Sequence, residues 1–149
     1  MEIFDIFTKK RKFVNGVFGE LVYTTFKDSS KNFYDGKVKF QGKEIGLIID
    51  ADKNGPTIEQ KDFFKKLDNE YAEIKEKIIL PFLRKELEEN VKNSGLENFD
   101  SEYEFDGISI EKIKNGTTYR SITYDSKPIR HYVSIDFIGM KPKHMTIDG

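Results

Sequence analysis

Asp50-x-Asp52-x-Asn54-Gly55 is the stretch of this sequence best equipped to do chemistry. Oxygen-bearing side chains at alternate positions, closed by a glycine, are how the first half of a calcium loop wraps a hard cation. The second half departs from that pattern. The twelfth position, where a bidentate Glu belongs, is Lys61, and a strand rather than a helix is expected before the loop. A strand-to-helix turn uses the same residues, because Asp and Asn bond their own backbone while Gly and Pro set its angles. Asp50, Asp52 and Asn54 are therefore weak candidate cation ligands, and the turn is the favoured reading.

Other reactive combinations are sparse. His131 and His144 are the only histidines, thirteen positions apart on different expected strands, with no carboxylate at metal-ligand spacing beside either. His131 shares an alternation with Val133, Ile135 and Phe137, which suits the rim of a core. There is no Gly-x-Ser-x-Gly elbow, no Gly-x-Gly-x-x-Gly and no Walker-type Lys-Ser/Thr. No nucleophile, base and orienter can be assembled from spacing. No catalytic residue and no cofactor is expected, so a non-enzymatic protein is favoured over a hydrolase whose residues would meet only in three dimensions.

Composition narrows the class further. The chain has 149 residues, no Cys and no Trp, which excludes a disulfide scaffold and a thiolate metal site. Its 25 bases and 26 acids stay nearly balanced when the chain is divided at residues 57 and 93. A nucleic-acid footprint would appear as a basic bias, so nucleic acid is not an expected partner. No apolar run approaches the ~18 residues of a membrane span. The first residues place acids before bases, the wrong order for a secretory signal. A single cytoplasmic domain over 1–149 is expected.

The elements that must position these residues follow from periodicity. Gly19–Phe26 is β-branched and aromatic, and Val38 and Phe40 alternate with polar neighbours, as do Ile45, Leu47 and Ile49, across a break at Gln41-Gly42-Lys43. Ile48 fills a slot where a polar residue is expected, which suggests a strand covered on both faces. Thr57 and Gln60 form a capping box. Phe64, Leu67, Tyr71, Ile74 and Ile78 then recur at helical spacing, and Leu83, Leu87 and Val91 continue the stripe beyond Pro81, where a kink is expected. Strands return from 102, with a bulge at Asp106-Gly107, a hairpin at Asn115-Gly116 and further strands through His131–Phe137 and Met145–Ile147. This gives an α+β fold: an antiparallel sheet of six or seven strands in βββ-α-ββββ order, strands over 18–50 and 102–149, and a Pro-kinked helix over 57–93 across one face.

Residues 1–12 read as a short docked helix or arm, with Glu2 and Asp5 first and Lys9–Lys12 last, matching the helix dipole. A membrane anchor there would bury too little. Phe33 and Tyr34, adjacent on an expected strand, must point to opposite faces, and are weak candidates for contact with a partner.

Several stretches together resemble a known family. They are Phe4-Asp-Ile-Phe-x-Lys-Lys10, Val17-Phe-Gly-Glu-Leu-Val-Tyr23, Asp35-Gly-Lys-Val-x-Phe-x-Gly-Lys-Glu-Ile45, Asp50-Ala-Asp52 with Gly55-Pro56 and Glu59-Gln60, and Thr146-Ile-Asp-Gly149. They are similar to a group of small bacterial domains of unknown function linked to the immunity proteins of polymorphic-toxin systems. The motifs are structural and carry no functional residues. The resemblance implies a stand-alone, cytoplasmic, non-enzymatic domain whose partner is another protein, of the kind that blocks a toxin by covering its surface. A metal-ion or small-ligand protein using the Asp50–Gly55 loop is the alternative.

Overall fold

The computed structural model describes residues 9–88, 93–111 and 117–148. Eight strands form one sheet in sequential order: β1 (Lys9–Asn15), β2 (Gly19–Thr25), β3 (Phe33–Phe40), β4 (Lys43–Asp50), β5 (Tyr103–Ile110), β6 (Tyr119–Ser126), β7 (His131–Ile138) and β8 (Lys141–Asp148). The fold is α+β, with ββββ-α-ββββ order in place of the expected βββ-α-ββββ. Every neighbouring pair is antiparallel except β4 and β5, which run parallel. Parallel neighbours need a long crossover, and the helices between residues 58 and 102 supply it.

The extra strand is β1. Lys9–Lys12, expected at the end of a helix or arm, instead pair with Thr25–Val22 at the sheet edge. The apolar slot that alternation demands is taken by Arg11, whose guanidinium lies over the Tyr23 ring at 5.7 Å. A cation whose planar head covers an aromatic face does the work of a hydrophobe there, so hydropathy alone hides the strand. Residues 1–8 lie outside the described residues.

Local signals explain most other boundaries. Gln41 and Gly42 both have positive φ (52° and 75°), the requirement of a tight hairpin turn whose twist matches the strands. The Gln41 N–H donates to Asp68 Oδ1 at 2.9 Å, tying this tip to the end of a helix. The β5–β6 register shifts between Phe105 and Gly107, at the expected bulge. The Asn115-Gly116 turn lies outside the described residues, although β5 and β6 pair antiparallel on either side of it.

Helix α1 (Ile58–Asn69) begins with both halves of the capping box: the Gln60 N–H donates to Thr57 Oγ1 at 3.2 Å and the Thr57 N–H to Gln60 Oε1 at 2.9 Å. After a bend at Glu70 come α2 (Tyr71–Ile74), a π turn (Lys75–Ile79) and α3 (Leu80–Glu88). The kink expected at Pro81 falls elsewhere. In the π turn the Leu80 N–H reaches back five residues to the Lys75 carbonyl, and the chain stays helical through Pro81. Phe64, Leu67, Ile74, Leu83 and Leu87 are buried as a stripe; Val91 lies outside the described residues. A short α4 (Phe99–Glu102) leads into β5.

All of this packs on one side of the sheet. Phe64 meets Phe18 and Phe40 edge-on or tilted, Tyr71 meets Phe40 and Phe105, and Arg120 lies 4.0 Å over Phe63. The Tyr71 and Tyr124 hydroxyls are 2.7 Å apart inside this layer.

Candidate functional site

Alternation in eight paired strands makes two faces, and the helices cover one. Phase fixes the membership of the other. Since Leu47, Ile108, Ile122 and Ile135 are buried and paired in a row, the residues one step along each strand face away from the helices. The central row of this open face crosses the whole sheet: Lys12, Val22, Asp35, Ile48, Ser109, Ser121, Asp136 and His144, each opposite the next.

At its middle the face is nearly bare. Gly46 is paired with Gly107 at the parallel junction, and a Cβ on Gly107 would stand 3.1 Å from the Gly46 carbonyl oxygen. A hollow of about 460 Å³ lies there, with Asp35, Ile48, Ser109 and Thr123 among its walls. A second hollow of about 210 Å³, farther along the same face, is lined by Ser109, Tyr119, Ser121, Asp136, Ile138 and His144 among others. Five of the six exposed large apolar side chains among the described residues belong to this face: Val14, Ile48, Tyr119, Tyr132 and Ile138. Ile48, whose position suggested a strand covered on both sides, is 48% exposed.

The row does bring Ser121, Asp136 and His144 together, which spacing along the chain could not reveal. Their order matters. Asp136 stands between the other two, so the imidazole and hydroxyl are two strand spacings, roughly 9–10 Å, apart at the backbone, with side chains upright on the sheet. A general base must be within about 3 Å of the proton it takes. The arrangement is a polar surface rather than a nucleophile-base pair.

The candidates taken from the sequence lie elsewhere. Asp52 Oδ1 accepts the Asn54 N–H at 2.9 Å, and the Asp52 carbonyl accepts the Gly55 N–H at 3.0 Å and the Tyr34 hydroxyl at 2.7 Å. The Asp50 carbonyl accepts Gln60 Nε2 at 2.8 Å. These oxygens are occupied in building a turn. No group of three or more His, Asp or Glu able to hold a metal occurs among the described residues. Tyr34, a candidate for partner contact, is fully buried and stacked on Tyr23 at 4.2 Å; burial first, then Tyr23 and Asp52, push its pKa up to about 12. Phe33 is half-buried against Phe26. His131 is exposed at the start of β7.

Among the described residues no helix is long and apolar enough to cross a membrane. Compared with models of known protein families, with curated proteins and with solved structures, the chain finds no match in any of the three. Any functional reading therefore rests on the molecule's own surface.

Proposed function

We propose that this protein is a non-enzymatic protein-binding module whose docking surface is the open face of its sheet. The immunity-type role implied by the resemblance is one form of that function, a toxin being held by the surface it covers. The observation that carries the reading is that five of the six exposed large apolar side chains among the described residues stand on one face. Scattered singly, such residues would need no explanation; gathered on one side, they mark an interaction surface.

Size supports it. Eight strands about 4.8 Å apart and roughly seven residues long span on the order of 800 Å², which is about what one partner contributes to a stable interface. The composition also fits a docking surface: aromatic and aliphatic side chains stand among small hydroxyls and glycines that let another surface approach closely.

The test is capture of a partner from the cells that make this protein, with two variants beside it. Ser121→Tyr raises an uncharged, β-forming ring from the middle of the open face, while Lys65→Tyr places the same ring on the exposed side of α1. Loss of a stoichiometric partner with the first variant and retention with the second is the expected result. Equal binding by both would remove the open face from the function.

A further inference from the structure

Resting on the reading of the open face as the docking surface, we infer that its occupant is a basic protein surface, whose arginines and lysines seat on the β5–β8 half. The two halves differ in charge. On β1–β4 the outward positions hold four lysines (Lys10, Lys12, Lys37 and Lys39) and an equal number of carboxylates. On β5–β8 they hold Glu104, Asp106, Asp125, Asp136 and Asp148 against one lysine, Lys141, which stands opposite Ile138 at the other end of β8 from Asp148, while Lys143 at the β7–β8 register shift lines the hollow beside Asp136. The whole chain carries a net charge of only −1, so the negative charge has been drawn to this half-face and the remainder is net positive.

The pairing shows that this is not incidental. Glu104 stands directly opposite Asp125, and like charges in that position destabilise a sheet. No described cation answers them: none of the five carboxylates makes an ion pair or side-chain hydrogen bond with a described residue. Along the same row Asp125 is opposite Tyr132, which is opposite Asp148. Tyr132 is 46% exposed, an aromatic surface with a carboxylate on either side at one strand spacing. A guanidinium can stack on such a ring while its fork reaches a flanking carboxylate, and an ammonium can take the carboxylate alone. A second copy of this chain is disfavoured as the occupant, because two open faces brought together would both carry the excess of negative charge.

The probe is an octa-arginine peptide titrated into the isotopically labelled protein, with octa-glutamate as control. Amide shifts are expected on β5–β8 around Asp125, Tyr132 and Asp148, with none from the control. The double variant Asp125→Asn, Asp148→Asn is expected to bind about tenfold more weakly, as two exposed ion pairs would dictate, whereas Glu59→Gln, Asp62→Asn on α1 is expected to bind as the parent does. Shifts centred on the helices or on β1–β4, or equal loss from both double variants, would overturn the inference. Sedimentation of the protein alone as a dimer that Ser121→Tyr dissociates would place a second copy on the face and overturn it as well. With a captured partner the two readings separate. Loss through Ser121→Tyr with no effect of Asp125→Asn, Asp148→Asn or of added salt keeps the docking face and removes the charge inference. Retention by Ser121→Tyr removes the docking face itself.

Discussion

Leu47 and Ile48 are neighbours in β4 with nearly the same volume and hydropathy. Leu47 is buried to 1% exposure beside Ile108, Ile122 and Ile135, under the helices; Ile48 is half exposed beside Asp35 and Ser109. The same contrast repeats along the sheet. On the covered side aromatic and branched side chains interlock, and Gln60 is bonded to two backbone carbonyls, Tyr71 to Tyr124 and Asn32 to Tyr23. The buried Arg120 Nε has no hydrogen-bond partner among the described residues, and its guanidinium lies over the Phe63 ring. On the open side glycines face each other, hydroxyls line hollows and like charges sit opposite. Folding accounts for the first face and leaves the second free to serve a function.

The sharpest way to break that comparison is to truncate both neighbours. Leu47→Ala removes buried methyl groups from a close-packed layer and is expected to cost about 2–5 kcal/mol of unfolding free energy. Denaturant titration reads the change directly. A small cost at Leu47 would mean that the covered face is not the core.

How much of this was legible depended on whether a signal was local. Thr57 and Gln60, Gln41-Gly42 and Asp106-Gly107 each announce themselves within four residues, because caps, turns and bulges are satisfied within four residues. Strand β1 did not, since Arg11 occupies an apolar slot that only Tyr23, twelve residues on, makes suitable. Adjacency told that Phe33 and Tyr34 part to opposite faces, but not that Tyr34 would turn inward to donate to the Asp52 carbonyl. The open-face row was beyond reach for the same reason. Ser109, Ser121, Asp136 and His144 are brought together by strand register, which no stretch of sequence displays by itself. One trace was present: each of β5 to β8 sets a carboxylate directly beside a core residue, as in Tyr124-Asp125 and Ile147-Asp148.

Alkaline pH tests the covered face without a mutation. Burial raises the Tyr34 and Tyr71 phenols from 10.0 to about 12, the Tyr124 contact partly offsetting it for Tyr71, and pushes Tyr124 well up also. A phenol raised by folding contributes its stability fully below the unfolded value and loses it as pH climbs through the folded one. The melting midpoint is therefore expected to hold to about pH 10 and to fall between 10 and 12, with tyrosinate absorbance appearing as the fold is lost. Full tyrosinate absorbance near pH 10 in a still-folded protein would mean that these rings are wet.

The helix layer has a smaller lever at its start. Thr57→Ala deletes the hydroxyl that accepts the Gln60 N–H and frees Gln60, which also bonds the Asp50 and Glu111 carbonyls. A cost of about 1 kcal/mol is expected. Calcium at millimolar concentration, followed by EDTA, is expected to leave the melting midpoint unmoved, because Asp52 Oδ1 and the Asp50 and Asp52 carbonyls already serve the turn; a calcium-dependent rise would restore the cation reading of that loop.

The smallest effect is the most informative. Ile48→Thr keeps the β-branched shape that a pleated strand favours, so backbone preference is conserved and only apolar surface is exchanged for a hydroxyl. On a face that contributes nothing to the core, the change in unfolding free energy is expected to stay within about 0.5 kcal/mol of zero. Set beside Leu47→Ala one position earlier, it compares two aliphatic side chains on the same strand, and their difference measures what the helices cover. A loss at Ile48 near that at Leu47 would mean that the open face is packed in solution, either by a second copy or by a segment of the chain itself. Its stability would then depend on protein concentration in the first case and not in the second.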